Sequence, residues 1–478
     1  MKLVAFTALI AMFSSTFALA ASDKDIQVLR AEIQDMKRAY ESRIAELESK
    51  LAKLEEAQAE TSAPVPATPA TAEGRITELE SKLAKLEETQ AQTSVPVFAT
   101  PATARRDVKN NAFNPSIGII LNGQYSQFSS DEGDIAGFAV GHEGERPREG
   151  FAVDHTELNL SANVDDKFFG STTAAIVQHG HDTEIELEEA YIQTLPDLGL
   201  PDGMSIKAGR AFWTLGYLNE HHSHTDDFAD RPLPYRVFLD EAFNDDGAQV
   251  SYLMPTDLYT EIGAGAFRGD DFPFGDPEGE DIRAWSAFAR IGGDIGENQS
   301  WRVGGYVLAG EADGERETNE HTVSFIGDTD LYMADLRYTW APTGNAREQE
   351  VILQGEYFWR EEEGTYEDTE AATGAVDFDE SSSGWYTQAV YKLAPQWRVG
   401  VRYSQLDAPS IPAGLAGSAL DPDGHDPWAY SAMADWTNSE FSRVRLQYNH
   451  EKLARGQDDD QVMVQYIMSF GAHSAHKY

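Results

Sequence analysis

Three histidines and two aspartates in one short stretch, His221, His222, His224, Asp226 and Asp227, are the side chains of this 478-residue chain whose types could hold a metal. Imidazole and carboxylate together suit zinc or another borderline divalent ion. His179 and His181, in an earlier link, are further candidates. The spacing matches no fixed ligand pattern, and a loop histidine more often makes ordinary hydrogen bonds. The chain has no cysteine, which excludes thiolate metal sites, disulfides and thiol nucleophiles. No cofactor is required by the sequence. The candidate is a divalent cation such as zinc or calcium at the acidic and histidine-bearing loops. No GxSxG, HExxH or P-loop pattern occurs, so no enzymatic activity is expected.

A second constellation pairs opposite charges. The stretch Trp213 to Asn244 carries Asp226, Asp227, Asp230, Asp240 and Glu241, yet it is rich in Trp, Tyr, Phe and Leu. Arg337, Arg398, Arg402, Arg443 and Arg445 fall at polar positions of strictly alternating segments. An acidic wall facing a basic one imposes a transverse field, which orients dipolar solutes and sets ion preference. The plainer alternative is that these arginines pair with inward carboxylates such as Glu356.

The elements that would position these groups are strands. Leu158, Leu160, Ala162 and Val164 interleave with Glu157, Asn159, Ser161 and Asn163, and Trp397, Val399, Val401 and Tyr403 with Arg398, Gly400, Arg402 and Ser404. Tyr332, Ala334, Leu336, Tyr338 and Trp340 form another apolar face, with aromatics clustered at a strand end. Runs of about ten residues, apolar outside and polar inside with aromatic ends, are the pattern of an outer-membrane β-barrel. A soluble sandwich alternates too, but over about five to six residues. The pattern predicts strands near 116–128, 154–164, 168–178, 184–195, 203–212, 245–254, 257–267, 282–291, 298–309, 329–340, 349–360, 384–393, 395–406, 427–437, 440–450 and 460–470. Short turns such as Asp165-Asp166, Pro255-Thr256, Ala394-Pro395 and Asn438-Ser439 follow the even strands, and long Gly/Asp/Glu-rich loops follow the odd ones. Sixteen strands enclose a water-filled channel, where about eight would be filled by side chains and about 22 would need a plug. A charge on the lipid face would cost about 2–4 kcal/mol at mid-membrane, so the arginines are expected to face inward. The link 213–244 has enough apolar content to pack, and the space for it is the lumen.

Upstream of the barrel (110–478) the chain reads differently. Residues 1–20 fit a signal peptide, with Lys2, an apolar run from Leu3 to Phe13, and Ala18-Leu19-Ala20 before the cut. Residues 21–60 read as a coiled coil, with Ile26, Leu29, Ile33, Met36, Tyr40, Ile44, Leu47, Leu51 and Leu54 along one seam. Residues 61–109 hold a Pro/Ala/Thr linker and a short second coiled-coil segment. The 30 residues from Arg43 to Ala72 recur from Arg75 to Ala104 with five differences. A lone amphipathic helix has nothing of its own to bury against, so self-association or a partner is expected rather than a solvated spacer, and the homotrimer is preferred because of the barrel resemblance given next. The formal net charge of -44 argues against nucleic-acid binding, and no apolar run reaches the ~20 residues of a spanning helix.

The segment ELEEAYIQTLPDLGLPDGMSIKAGRAFWTLGYLNE (Glu186 to Glu220) resembles a strand–turn–strand of the phosphate-selective porin superfamily, and DDGAQVSYLMPTDLYTEIGAGAFRGD (Asp245 to Asp270) resembles that family's next hairpin. The resemblance, over about residues 110–470, implies a sixteen-stranded, usually trimeric barrel behind an N-terminal coiled coil. Phosphate-selective members line the pore with basic residues. Here Glu361 to Glu380 holds nine carboxylates and no Lys or Arg, so a general or cation-leaning channel is expected.

The expected protein is therefore an outer-membrane porin that passes small hydrophilic solutes or ions, with its N-terminal segment in the periplasm and lipopolysaccharide around its acidic loops. The alternatives are a barrel that only anchors a structural or interaction protein, and a metal-uptake receptor, which would need a plug domain.

Overall fold

The computed structural model describes residues 115–471, except 145, 154, 180–181, 276–281, 318–321 and 440. The expected signal peptide, coiled coil and duplicated linker lie outside the described residues, as do residues 472–478.

The described chain is a closed, sixteen-stranded antiparallel β-barrel. Its strands are β1 (Ser116–Phe128), β2 (Gly150–Val153 and Thr156–Asn163), β3 (Phe168–His179), β4 (Asp182–Thr194), β5 (Met204–Phe212), β6 (Asn244–Leu253), β7 (Tyr259–Phe267) and β8 (Ala284–Asp294). They continue as β9 (Gln299–Glu317), β10 (Thr322–Trp340), β11 (Glu350–Asp368), β12 (Val376–Ala394), β13 (Trp397–Asp407), β14 (Trp428–Ser439), β15 (Ser442–Lys452) and β16 (Asp459–Gly471). The two pieces of β2 flank His155, whose φ of 45° interrupts the extended backbone, and both pair with β1. The barrel closes where β1 pairs with β16, from Gly118 opposite Gly471 to Phe128 opposite Gln461.

The period-2 pattern sets which face each side chain takes. Leu336, Leu353, Val401, Leu446 and Val464 are exposed on the outer face, whereas Asp335, Gln354, Arg402, Arg445 and Gln465 are buried inside. Exposed aromatics pair across strands at both borders of this apolar band: Trp397 opposite Trp436 near the short turns, and Tyr332 opposite Trp359 toward the loops. On β10 the outward run from Tyr332 to Trp340 covers about 26 Å along the strand at ~3.3 Å per residue, comparable after tilting with the ~25 Å band of barrels in membranes.

Each of the sixteen expected strands has its counterpart, but two expectations about the links change. β9 to β12 are 19 residues each, so much of Glu361–Glu380, expected as an external loop, is ladder. Outside the apolar band a strand needs no apolar outward residues, and Asp328, Asp330, Glu361 and Glu363 occupy those positions. Two links after odd strands are also short, at residues 180–181 and 318–321.

Inside, the loop side of the barrel holds an apolar core. Leu308, Phe325, Phe358, Phe378 and Leu406 from the wall pack with Ile135 and Phe138 of the first long loop, Phe274 of a later one, and Leu415 and Leu453 of the last two. At its centre lies the link 213–243.

Candidate functional site

The link 213–243 contains two short 3-10 turns, Leu218–Glu220 and Ser223–Thr225, and one helix, α1 (Leu233–Leu239). Pro232 and Pro234 bracket the start of α1, where a missing N–H costs nothing, and Asp240 ends it at φ 49°. Seven residues are too few for a helix to stand alone. All seven side chains of α1 are buried, so the surrounding wall holds it. Gly216 is required where the loop turns inward. Its φ is +70°, and a Cβ there would collide with the Glu356 carboxylate.

The loop crosses the interior and is pinned on several walls. Glu220 pairs with Arg290 on β8. The Tyr217 ring lies under the guanidinium groups of Arg302 on β9 and Arg337 on β10, at 4.8 and 4.3 Å. Glu356 on β11 accepts hydrogen bonds from Tyr217 N at 3.0 Å and Tyr235 Oη at 2.9 Å, and from Tyr386 on β12 at 2.6 Å. Glu356 thus holds the loop through tyrosines rather than serving one of the five expected arginines.

Four of those arginines grip the loop's acidic face from β13 and β15, while Arg337 on β10 covers Tyr217. Arg398 Nη1 lies 2.7 Å from Asp227 Oδ1. Arg402 Nη2 lies 2.6 Å from Asp230 Oδ1. Arg443 and Arg445 donate to the carbonyl oxygens of His224 and Asp226 at 2.5 and 2.6 Å. Asp435 on β14 sits among them, 2.8 Å from Arg445 Nε. The acidic and basic groups named from sequence therefore touch over much of this face. Asp240 and Glu241 stand apart from the arginine wall: Asp240 accepts from the Gly144 amide, and the Glu241 carbonyl accepts from Arg231 at 2.6 Å. Arg231 also pairs with Asp226 at 3.0 Å, tying the loop to itself.

The three histidines separate. His221 stacks on Tyr217 and its Nδ1 lies 2.7 Å from the Tyr217 carbonyl oxygen; burial pushes its pKa down to about 4. His222 and His224 turn toward β2 and β4. His222 Nδ1 lies 3.3 Å from Glu157 and 3.2 Å from Glu188, its Nε2 lies 3.1 Å from Glu189, and His224 Nδ1 lies 2.6 Å from Glu157. Burial alone would lower His222, but the Glu157 carboxylate, helped by Glu188 and Glu189, outweighs it and holds the imidazole well above its usual range. Asp226 and Asp227 are engaged by arginines, away from this group. The His179 side chain and all of His181 lie outside the described residues.

Two cavities flank the loop. One of about 50 Å³ lies between Asp226, Asp230 and Arg231 on the loop and Asn122, Gln461 and Gln465 on the wall of β1 and β16. The other, about 170 Å³, is lined by Glu186, Glu188, Asp240, Glu241 and Asp271. Burial raises Asp240 to about 7, against the amide hydrogen bonds that favour its anion, and burial likewise raises Glu143 opposite it.

No family model matches the chain. An uncharacterized protein of Aquifex aeolicus is 29% identical over 394 residues, covering 77% of this chain and 80% of that one. A loop-deletion mutant of OmpT, an outer membrane protein of Vibrio cholerae, is similar with a TM-score of 0.48 at 12% identity, over 75% of this chain and 99% of that one. The outer membrane channel DcaP of Acinetobacter baumannii gives a TM-score of 0.48 at 13% identity, over 75% of this chain and 97% of that one.

Several side chains at the loop escaped the sequence analysis. Arg290, Arg302 and Arg360 are buried inside the barrel, and the same parity rule that selected Arg337 would have found them. Glu188 and Glu189 carry no such signal, because adjacent residues of a regular strand face opposite sides.

Proposed function

We propose that the protein is an outer-membrane porin, a passive diffusion channel for small hydrophilic solutes or ions, with the loop 213–243 as its constriction. The observation that carries this proposal is the ion-paired insertion of that loop into a barrel whose outer face is an apolar, aromatic-bordered band. Polar groups left between loop and wall, including Asn122, Asp230, Gln461 and Gln465, suit a narrow hydrated path. Single-channel recording from pure folded protein in planar bilayers tests it: stepwise ohmic currents are expected, and their absence overturns the proposal.

The heptad seam of residues 21–60 supports self-association, and a homotrimer is the assembly that the resemblance to sixteen-stranded porins implies. A contact with lipopolysaccharide bridged by divalent cations is supported by a concavity of about 950 Å³ on the loop side of the aromatic border, lined by Glu311, Asp328, Asp330, Glu361, Glu363 and Asp379.

A second function is favoured by the filling of the interior. Trp213, Tyr235, Phe238 and Phe243 are fully buried, and the cavities beside the loop are small. A barrel filled in this way serves equally as an anchor for a structural or interaction protein. The same recording separates the two, because an anchor passes no current.

A further inference from the structure

A β-bulge turns two consecutive glutamates into the barrel. Along β3 and β4, Thr173 stands opposite Glu189 while the next residue, Ala174, stands opposite Leu187, so Glu188 is the extra residue. Leu187 is exposed on the outer face, and Glu188 and Glu189 are both buried. Bulges of this kind re-aim side chains beside working sites.

The re-aimed Glu188 converges with Glu157 of β2 on His222 of the inserted loop. One candidate ligand atom from each of Glu157, Glu188 and His222 lies within 4.8 Å of the other two. The imidazole nitrogen is 3.3 Å from Glu157 Oε2 and 3.2 Å from Glu188 Oε2. These separations are wide for charge-assisted hydrogen bonds of about 2.7–2.9 Å. They match the ~3.3 Å edge of a tetrahedron around an ion with bonds of about 2.0–2.1 Å. Glu188 Oε2 is buried without a hydrogen bond. Around these three groups stands an outer ring: His222 Nε2 is 3.1 Å from Glu189 Oε2, and His224 Nδ1 is 2.6 Å from Glu157 Oε1. A carboxylate behind a ligating imidazole, and a donor behind a ligating carboxylate, are the supports that orient metal ligands.

We infer that Glu157, Glu188 and His222 form a binding site for a borderline divalent cation, of which zinc fits best, with a fourth position left for water or solute. The nitrogen ligand disfavours calcium, which takes oxygen ligands. Glu188 also lines the 170 Å³ cavity beside Glu143, Glu186, Asp240, Glu241 and Asp271. That space, which Arg210 and Arg231 also line, has room for several waters at ~30 Å³ each and gives an ion a hydrated way in. His221 and Asp226, grouped with His222 from sequence, belong to other contacts. The inference does not depend on the barrel conducting.

The test is calorimetric titration of zinc into the full-length, folded, chelator-stripped protein, with cobalt absorption as a second readout. One zinc per chain is expected, together with the intense visible bands of tetrahedral cobalt that zinc displaces. Glu188→Gln, which keeps the side chain's shape, is expected to weaken zinc binding at least tenfold. Asp257→Asn, in the exposed short turn between β6 and β7, is expected to leave it unchanged. Zinc binding that is equal in Glu188→Gln and the parent protein, or a weak octahedral cobalt spectrum in the parent, would overturn the inference. The cobalt spectrum of the parent decides the matter even if Glu188→Gln does not fold.

Discussion

Arg402 reaches from the wall at β13 to Asp230 in the inserted loop, Nη2 to Oδ1 at 2.6 Å and Nη1 to the Asp230 carbonyl oxygen at 2.7 Å. Gln447 and Asn449 of β15 donate to the same carboxylate at 2.6 and 2.8 Å. One loop residue is thus held by three wall side chains. Removing one partner of a buried pair costs about 3–5 kcal/mol, because the other charge is left without compensation. Arg402→Ala is therefore expected to loosen the loop by roughly that amount while the ladder stays intact. Single-channel conductance should rise, with heat-modifiable gel mobility unchanged. An unaltered conductance would show that Asp230 does not restrict the path.

Charge preference follows from the same contact. The acidic mouth and loop are expected to favour cations, read as the sign of the reversal potential across a potassium chloride gradient. Asp230→Asn keeps the shape but leaves Arg402 without its counter-charge, so the reversal potential should move toward anion preference. A clear anion preference in the parent protein would contradict the assignment of charge.

Loop docking also rests on apolar packing. Phe238 is fully buried, stacked 5.8 Å from Phe358 and edge-on to Phe138 at 6.1 Å. Truncating a buried phenylalanine costs about 3–5 kcal/mol. In Phe238→Ala, hydrogen exchange should accelerate across 213–243 while the amides of β13 to β16 stay protected. Uniform acceleration through the ladder would instead show that loop and barrel unfold together.

The contact between Gly144 and Asp240 should depend on pH. Burial raises Asp240 from an ordinary 3.8 to about 7. A carboxyl whose folded pKa is raised contributes stability that is complete below the ordinary value and lost as the pH rises through about 7. Glu241 adds to that rise, the amides of Gly144 and Glu143 and the charge of His142 oppose it, and burial raises the Glu143 carboxyl in its own right. The first long loop should therefore be held most firmly in acid. Because the chain has no cysteine, a spin label on Arg148→Cys reports from one place. Its mobility should increase with pH across this range and respond less steeply in the Asp240→Asn background, where the Glu143 carboxyl alone still titrates upward.

How much of this could be read from sequence depends on whether regular alternation governs a residue. Trp397, Val399 and Val401 face out and Arg402 faces in because a half-apolar strand has one stable orientation in a membrane. That rule located each strand and gave the five inward arginines their walls. It could not find the ends of β9 to β12, because alternation of apolar with polar stops where lipid stops although pairing continues: Asp330 opposite Glu361 and Asp328 opposite Glu363 remain ladder partners. It failed more sharply at Glu188, where one inserted residue reverses parity with no local composition to announce it. The partnership of His224 with Glu157, 67 positions away, depends on the fold of the entire loop, and no local spacing could reveal it.

The four 19-residue strands give the barrel a rim of unequal height. At ~3.3 Å per residue, each is about 63 Å long, whereas β5 and β7 have nine residues and reach about 30 Å. One flank therefore rises as a parapet above the other, with carboxylates on its outward side. Screening reaches only about 8–10 Å in physiological salt, so that fence repels anions close to the high side and leaves the low side as the open approach. A charged molecule nearing that end of the barrel therefore meets a lopsided field.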